Sequence, residues 1–111
     1  MAYDLELADR IRTALARRRG ITEKTMFGGL GFFLKGHIFA GVWKRSLIVR
    51  LGPVAGAAAL EEPHVRPFDI TGKASKNWAM VDPEGLTAEG ALEDWIARAM
   101  KFVRGLPARN E

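Results

Sequence analysis

Residues 25–51 read Thr-Met-Phe-Gly-Gly-Leu-Gly-Phe-Phe-Leu-Lys-Gly-His-Ile-Phe-Ala-Gly-Val-Trp-Lys-Arg-Ser-Leu-Ile-Val-Arg-Leu, and this stretch decides the fold. Gly, aromatic and β-branched residues dominate it, and polar breaks at Lys35-Gly36 and Lys44-Arg45 divide it into strand-like runs at Met26–Leu34, Ile38–Trp43 and Ser46–Leu51. Joints this short allow neighbouring strands only to fold back on each other, so the stretch predicts an antiparallel meander. Alternation puts Leu47, Val49 and Leu51 on one face, with Ile48 and Arg50 on the other. The same rule assigns Gly29, Gly31, Phe33, Phe39, Gly41 and Trp43 to one aromatic, glycine-rich face. Its glycines flatten the sheet so that a helix, a ligand or another chain can approach.

On the N-terminal side, Asp4 is placed to cap a helix whose apolar residues Leu7, Ala8, Ile11, Ala14 and Leu15 recur at helical spacing. Gly20 stops it, and the Arg17-Arg18-Arg19 run is read as its last turn, complementing the helix dipole. On the C-terminal side, Gly52-Pro53 opens a short alanine-rich helix through about Leu60, and Pro63 prevents its continuation. Pro67 to Lys76 reads as a loop with an extended stretch at Phe68–Thr71, and Trp78–Val81 as a fourth strand ended by Asp82-Pro83. Thr87 is placed to cap a final helix with an apolar stripe of Leu92, Trp95, Ile96, Ala99, Phe102, Val103 and Leu106. The expected fold is α+β: an antiparallel sheet of four or more strands packed against N-terminal and C-terminal helices as a two-layer sandwich.

The 111 residues, 48% of them hydrophobic, suffice for one core, so a single domain over 1–111 is expected. No apolar run approaches the ~20 residues of a membrane helix, and the acids Asp4, Glu6 and Asp9 are foreign to a signal peptide. A cytoplasmic location with no membrane partner is therefore expected. There is no cysteine, which excludes disulfides, thiolate metal sites and a cysteine nucleophile. The net charge of +4 is unevenly spread: Arg10 to Leu60 holds ten bases against the single acid Glu23. That half presents a field suited to a polyanion, an acidic protein or an anionic ligand, although a solvated basic surface meets the same description.

No residue pattern for catalysis emerges. His37 lies at a hairpin turn and His64 in a loop, both read as surface residues without the partners of a metal site. Glu61-Glu62 ends a helix and Asp82 with Glu84 belongs to a turn. The Gly28–Gly31 run lacks the Gly-Lys-Ser/Thr ending of a phosphate loop and is followed by strand residues. No cofactor, metal or catalytic residue is expected.

Thr22-Glu23-Lys24-Thr25-Met26-Phe27-Gly28-Gly29, then Val49-Arg50-Leu51-Gly52-Pro53, Arg66-Pro67-Phe68-Asp69, Trp78 and Val81-Asp82-Pro83 form an ordered set spread over nearly the whole chain. The set resembles the N-terminal domain of the TfoX/Sxy family, bacterial regulators associated with natural competence. Two departures stand out: the C-terminal helical domain typical of competence regulators is not expected here, and Ser75 and Asn77 replace a methionine and a glycine often found near Trp78. The resemblance implies an α/β sandwich and a regulatory, non-enzymatic role.

The candidate binding positions the resemblance carries over are Lys24, Met26, Phe27, Gly28, Gly29, Arg50 and Trp78. Lys44 and Arg45 join them as cations beside the aromatic face, and Lys73 and Lys76 as cations that would complete an anion site with Arg50. Arg50 sits within an apolar strand, so a carboxylate such as Asp69 or Asp82, or an anionic ligand, is expected opposite it. The expected partners are a protein of the transcription machinery or nucleic acid. The alternatives are a homo-oligomer joined through the apolar sheet face and a binder of small anions.

Overall fold

The computed structural model describes residues 3–26, 28–68 and 77–106. The chain runs α1 (Leu5–Ala14), β1 (Ile21–Met26), β2 (Gly29–Leu34), β3 (His37–Trp43), β4 (Ser46–Arg50), α2 (Pro53–Ala59), β5 (Val65–Pro67), β6 (Trp78–Val81), a 3-10 turn (Pro83–Leu86) and α3 (Ala91–Arg104). The strands form one antiparallel sheet in the order β1-β2-β3-β4-β6-β5. The α+β architecture is therefore as read from the sequence, with two further strands. The expected run Met26–Leu34 is divided by a turn at Gly28, whose φ of +76° suits glycine, and its first residue ends the additional strand β1. β1 escapes the hydrophobic pattern because its middle, Thr22 to Thr25, is exposed. Charged, polar edge strands of this kind resist pairing with other chains.

One face of the sheet carries the core. Leu30, Phe32, Ala40, Val42, Leu47, Val49 and Val81 are buried there with the apolar stripe of α3 (Leu92, Trp95, Ile96, Ala99, Met100 and Val103) and with Leu7, Ala8 and Ile11 of α1. α3 packs across β3 and β4, and α1 against β3 and α3. Among the described residues, no helix is long and apolar enough to cross a membrane.

Four local expectations are corrected. Phe39 belongs to the core, fully buried, and not to the glycine face, because the β2–β3 register shifts at Phe32/Phe33: Phe32 pairs with Ala40, but Phe33 pairs with Ile38. The extra residue of this β-bulge resets the alternation and turns Ile38 outward in place of Phe39. Arg17–Arg19 lies beyond the end of α1, whose last turn contains Arg12, so that run does not complement the helix dipole. Thr87 donates its hydroxyl to the carbonyl of Glu84 and closes the 3-10 turn, while Gly90 is the N-cap of α3. His37 is buried at the start of β3, because the turn it borders is completed by Lys35 and Gly36. Asp4 caps α1 as expected, accepting from the amides of Glu6 and Leu7. The extended stretch assigned to Phe68–Thr71 lies outside the described residues beyond Phe68.

Arg12 fastens α1 to β1. Its guanidinium donates to both carboxylate oxygens of Glu23, at 2.9 and 2.8 Å, and to Asp9 at 2.9 Å. The hydrogen bond from Arg12 holds the Glu23 carboxyl below its ordinary pKa, reinforced by the guanidinium charge and opposed by partial burial.

Two tests follow from these contacts. Phe39→Ala is expected to cost about 3–5 kcal/mol in urea unfolding, and Phe33→Ala clearly less; equal costs would place the two rings in equivalent surroundings and contradict the bulge. Because the folded pKa of Glu23 is depressed, its contribution is complete above the unfolded value of ~4.3 and is lost as the pH falls through the folded one. Arg12→Gln should therefore lower the urea midpoint at neutral pH, and its difference from wild type should vanish towards the acid end of a pH series.

Candidate functional site

The register that buries Leu30, Phe32, Val42, Leu47 and Val49 sends their neighbours to the opposite face. Lys24, Gly31, Gly41, Ile48 and Met80 are successive cross-strand partners on β1, β2, β3, β4 and β6 and form a row across that open face. At its centre two glycines face each other, Gly31 on β2 and Gly41 on β3, with Gly29 two residues along. Backbone contact requires glycine at positions 29 and 41, whereas at 31 a side chain would meet only the ends of neighbouring side chains. A Cβ on Gly41 would lie 2.7 Å from the carbonyl oxygen of Leu30, one on Gly31 would lie 2.9 Å from Cδ1 of Ile38, and one on Gly29 would run into the carbonyl of Val42.

Where side chains are missing the face is hollow. The cavity measures about 260 Å³ and has Gly29, Gly31 and Gly41 as its floor. Met26 of β1 walls it on one side and Ile38 and Trp43 of β3 on two others, while Ile48, Trp78 and Phe68 complete the far wall. Phe68 and Trp78 support each other, their ring centroids 5.7 Å apart and tilted by 52°, an arrangement favoured by aromatic quadrupoles. Every lining side chain among the described residues is apolar or an indole.

The charges lie at the rim. Lys44, in the β3–β4 turn, holds its Nζ 4.6 Å from the centroid of Trp43, a cation–π contact with one of the residues that line the cavity. Lys24 stands next to Gly31 in the cross-strand row. Asp82, which follows β6, is neutralised by Arg66 at 2.7 Å, a contact that raises the pKa of Arg66 above its ordinary value, and it accepts from the Ser46 hydroxyl at 3.4 Å. Elsewhere Arg98 bridges Glu62 and Asp94, both at 2.8 Å, and lies 4.3 Å from the Trp95 centroid. Among the described residues no three His, Asp or Glu side chains gather as a metal site would require.

Of the positions singled out from sequence, Met26, Gly29 and Trp78 line the cavity, and Lys24 and Lys44 flank it. Gly28 shapes the β1–β2 turn, and Arg45 is exposed in the β3–β4 turn. Arg50 does not line the cavity. Its guanidinium sits 5.6 Å from the Phe102 ring, which also packs on Gly52. Of the two carboxylates expected opposite Arg50, Asp82 is engaged by Arg66 and Asp69 lies outside the described residues; the described contact of Arg50 is the Phe102 ring. Phe27, Asp69, Lys73 and Lys76 lie outside the described residues. Sequence reasoning missed Ile38, Ile48 and Phe68 as lining residues. Alternation already placed Ile48 on the right face, Ile38 was hidden by the bulge, and Phe68 was noted only within the Arg66–Asp69 segment of the resemblance.

Comparison with known proteins places this geometry in a wider set. None of the curated proteins matches the sequence. The crystal structure of Deinococcus radiodurans protein DR2400, which carries the domain DUF419, is similar to this chain with a TM-score of 0.69 over 89% of this chain and 79% of that one. The two share 16% sequence identity, a likeness of fold alone. The model of the TfoX N-terminal domain matches residues 13–103, from the end of α1 through the sheet and its hollow face to the last turn of α3. The chain belongs to the TfoX N-terminal domain family.

Proposed function

We propose that the chain is a non-enzymatic regulatory module of the cytoplasm that acts on transcription through a protein partner, with the open sheet face as its contact surface. The observation that carries this reading is the glycine-floored hollow: a concave apolar surface on the face that the helices leave free, walled by two tryptophans. Exposed apolar concavities with an aromatic wall and a charged rim are where partners find anchoring side chains. Membership of a family that includes competence regulators supports the regulatory part.

Direct DNA binding is the second reading, favoured by the basic half of the chain. The fold disperses that charge. Arg12 is consumed by Glu23 and Asp9, and Arg50 stacks on Phe102. Arg17–Arg19 precedes the start of β1, which pairs with the end of β2, whereas Lys44 and Arg45 lie at the other end of the sheet. A polyanion tracks a continuous groove of cations, so this distribution favours the protein partner.

The test is capture by the immobilised chain, comparing wild type with Trp43→Ala, alongside anisotropy of a random-sequence DNA duplex at several salt concentrations. The wild type is expected to retain a protein that Trp43→Ala loses, with circular dichroism unchanged between the two. Affinity for the duplex with a log–log salt slope near −0.9 per phosphate neutralised would promote the DNA reading. No retained protein and no DNA affinity would sink both.

A further inference from the structure

We infer that the hollow on the open sheet face is a binding site for a small aromatic carboxylate, whose ring enters the cavity and whose carboxylate stays at the rim beside Lys44. The inference deepens the reading of this face as the contact surface by adding a small molecule that occupies it. Three observations carry it.

The first is shape. About 260 Å³ lies over a floor of backbone, because Gly29, Gly31 and Gly41 have no side chains to fill it. Ligand sites for drug-sized molecules occupy ~300–1,000 Å³, so this one suits a compact fused ring system. The second is lining. Trp43, Trp78 and Phe68 offer aromatic rings, Ile38, Ile48 and Met26 offer aliphatic contact, and among the described residues no charged side chain lines the cavity. An aromatic ring is the group that such walls receive best, through offset and edge-to-face packing. The third is charge. Lys44 is held against the Trp43 ring at 4.6 Å, Lys24 adjoins the Gly31 floor, and the nearby Asp82 is neutralised by Arg66. Lys44 and Lys24 therefore complement an anion, while the apolar lining of the cavity rejects one.

The probe is 1-naphthoate, titrated into the protein labelled uniformly with nitrogen-15. The chain holds three tryptophans, and each gives one indole N–H signal. Trp43 and Trp78 line the cavity, whereas Trp95 is 6% exposed on the helical layer. The signals of Trp43 and Trp78 are expected to shift in a saturable way, and that of Trp95 to stay in place. Lys44→Glu should raise the Kd about fivefold, the effect of reversing one exposed ion pair. Ile38→Phe, which fills the cavity from a half-buried position, should abolish the shifts while leaving the remaining spectrum folded.

Equal binding of naphthoate and uncharged naphthalene methanol, with Lys44→Glu neutral, would overturn the carboxylate. Uniform or unsaturable shifts, or binding that survives Ile38→Phe, would overturn the site. Absence of any shift in a wild type that still captures a partner through Trp43 would overturn the ligand and leave the contact surface standing. Loss of both would remove the surface too.

Discussion

Burial of a single sheet face under α3 is the constraint from which the rest of this structure follows. α3 offers one apolar stripe, and β3 and β4 are the strands it covers. The sum of that contact, with α1 filling in beside it, buries Phe32, Phe39, Val42, Leu47 and Val49 almost completely. Because strand side chains alternate, fixing one face fixes the other. Among the described residues no helix covers the positions between those core residues, yet they belong to strands too apolar to be solvated throughout, and Ile48 and Met80 on the open face are only 7% and 4% exposed. The chain resolves this conflict by placing glycine where β2 and β3 meet on the open side.

The consequence is a face with little side-chain bulk at its centre and aromatic bulk at its margin. Close approach of β2 and β3 depends on Gly29 and Gly41, since a Cβ on either would strike a carbonyl of the neighbouring strand. The hollow is thus a by-product of strand packing that the surrounding side chains turn into a cavity. Trp43, Ile38 and Met26 are all half-buried, so the cavity is walled without being sealed. Lys44 and Lys24 contribute charge at its edge and none to its interior.

Much of this was legible in the residues. The meander, the Asp4 cap, the alanine-rich helix and the α3 stripe each have a local cause, and the glycine-rich face emerged from alternation alone. What was illegible depends on contacts across the chain. β1 has an exposed middle and carries no hydrophobic period, so only its pairing with β2 reveals it as a strand. The bulge at Phe39 has no local mark, since Ile38, Phe39 and Ala40 are all compatible with an unbroken strand; the competition between Phe39 and Ile38 for the core decides it. The contact between the Arg50 guanidinium and the Phe102 ring joins residues fifty-two positions apart, a pairing that no local pattern announces. Met26, Gly29 and Trp78 were singled out as separate positions, and only the sheet assembles them into one wall and floor.

The β3–β4 turn adds a tension of its own. Lys44 adopts a left-handed backbone, φ +55°, where a residue with a Cβ is disfavoured and asparagine or glycine sits with less strain. The side chain that this strained backbone carries is the one held against Trp43, a residue that lines the cavity. A substitution that relaxes the turn by replacing the lysine therefore also removes the cation held against Trp43. Backbone ease and side-chain contact thus set opposite preferences at this one residue.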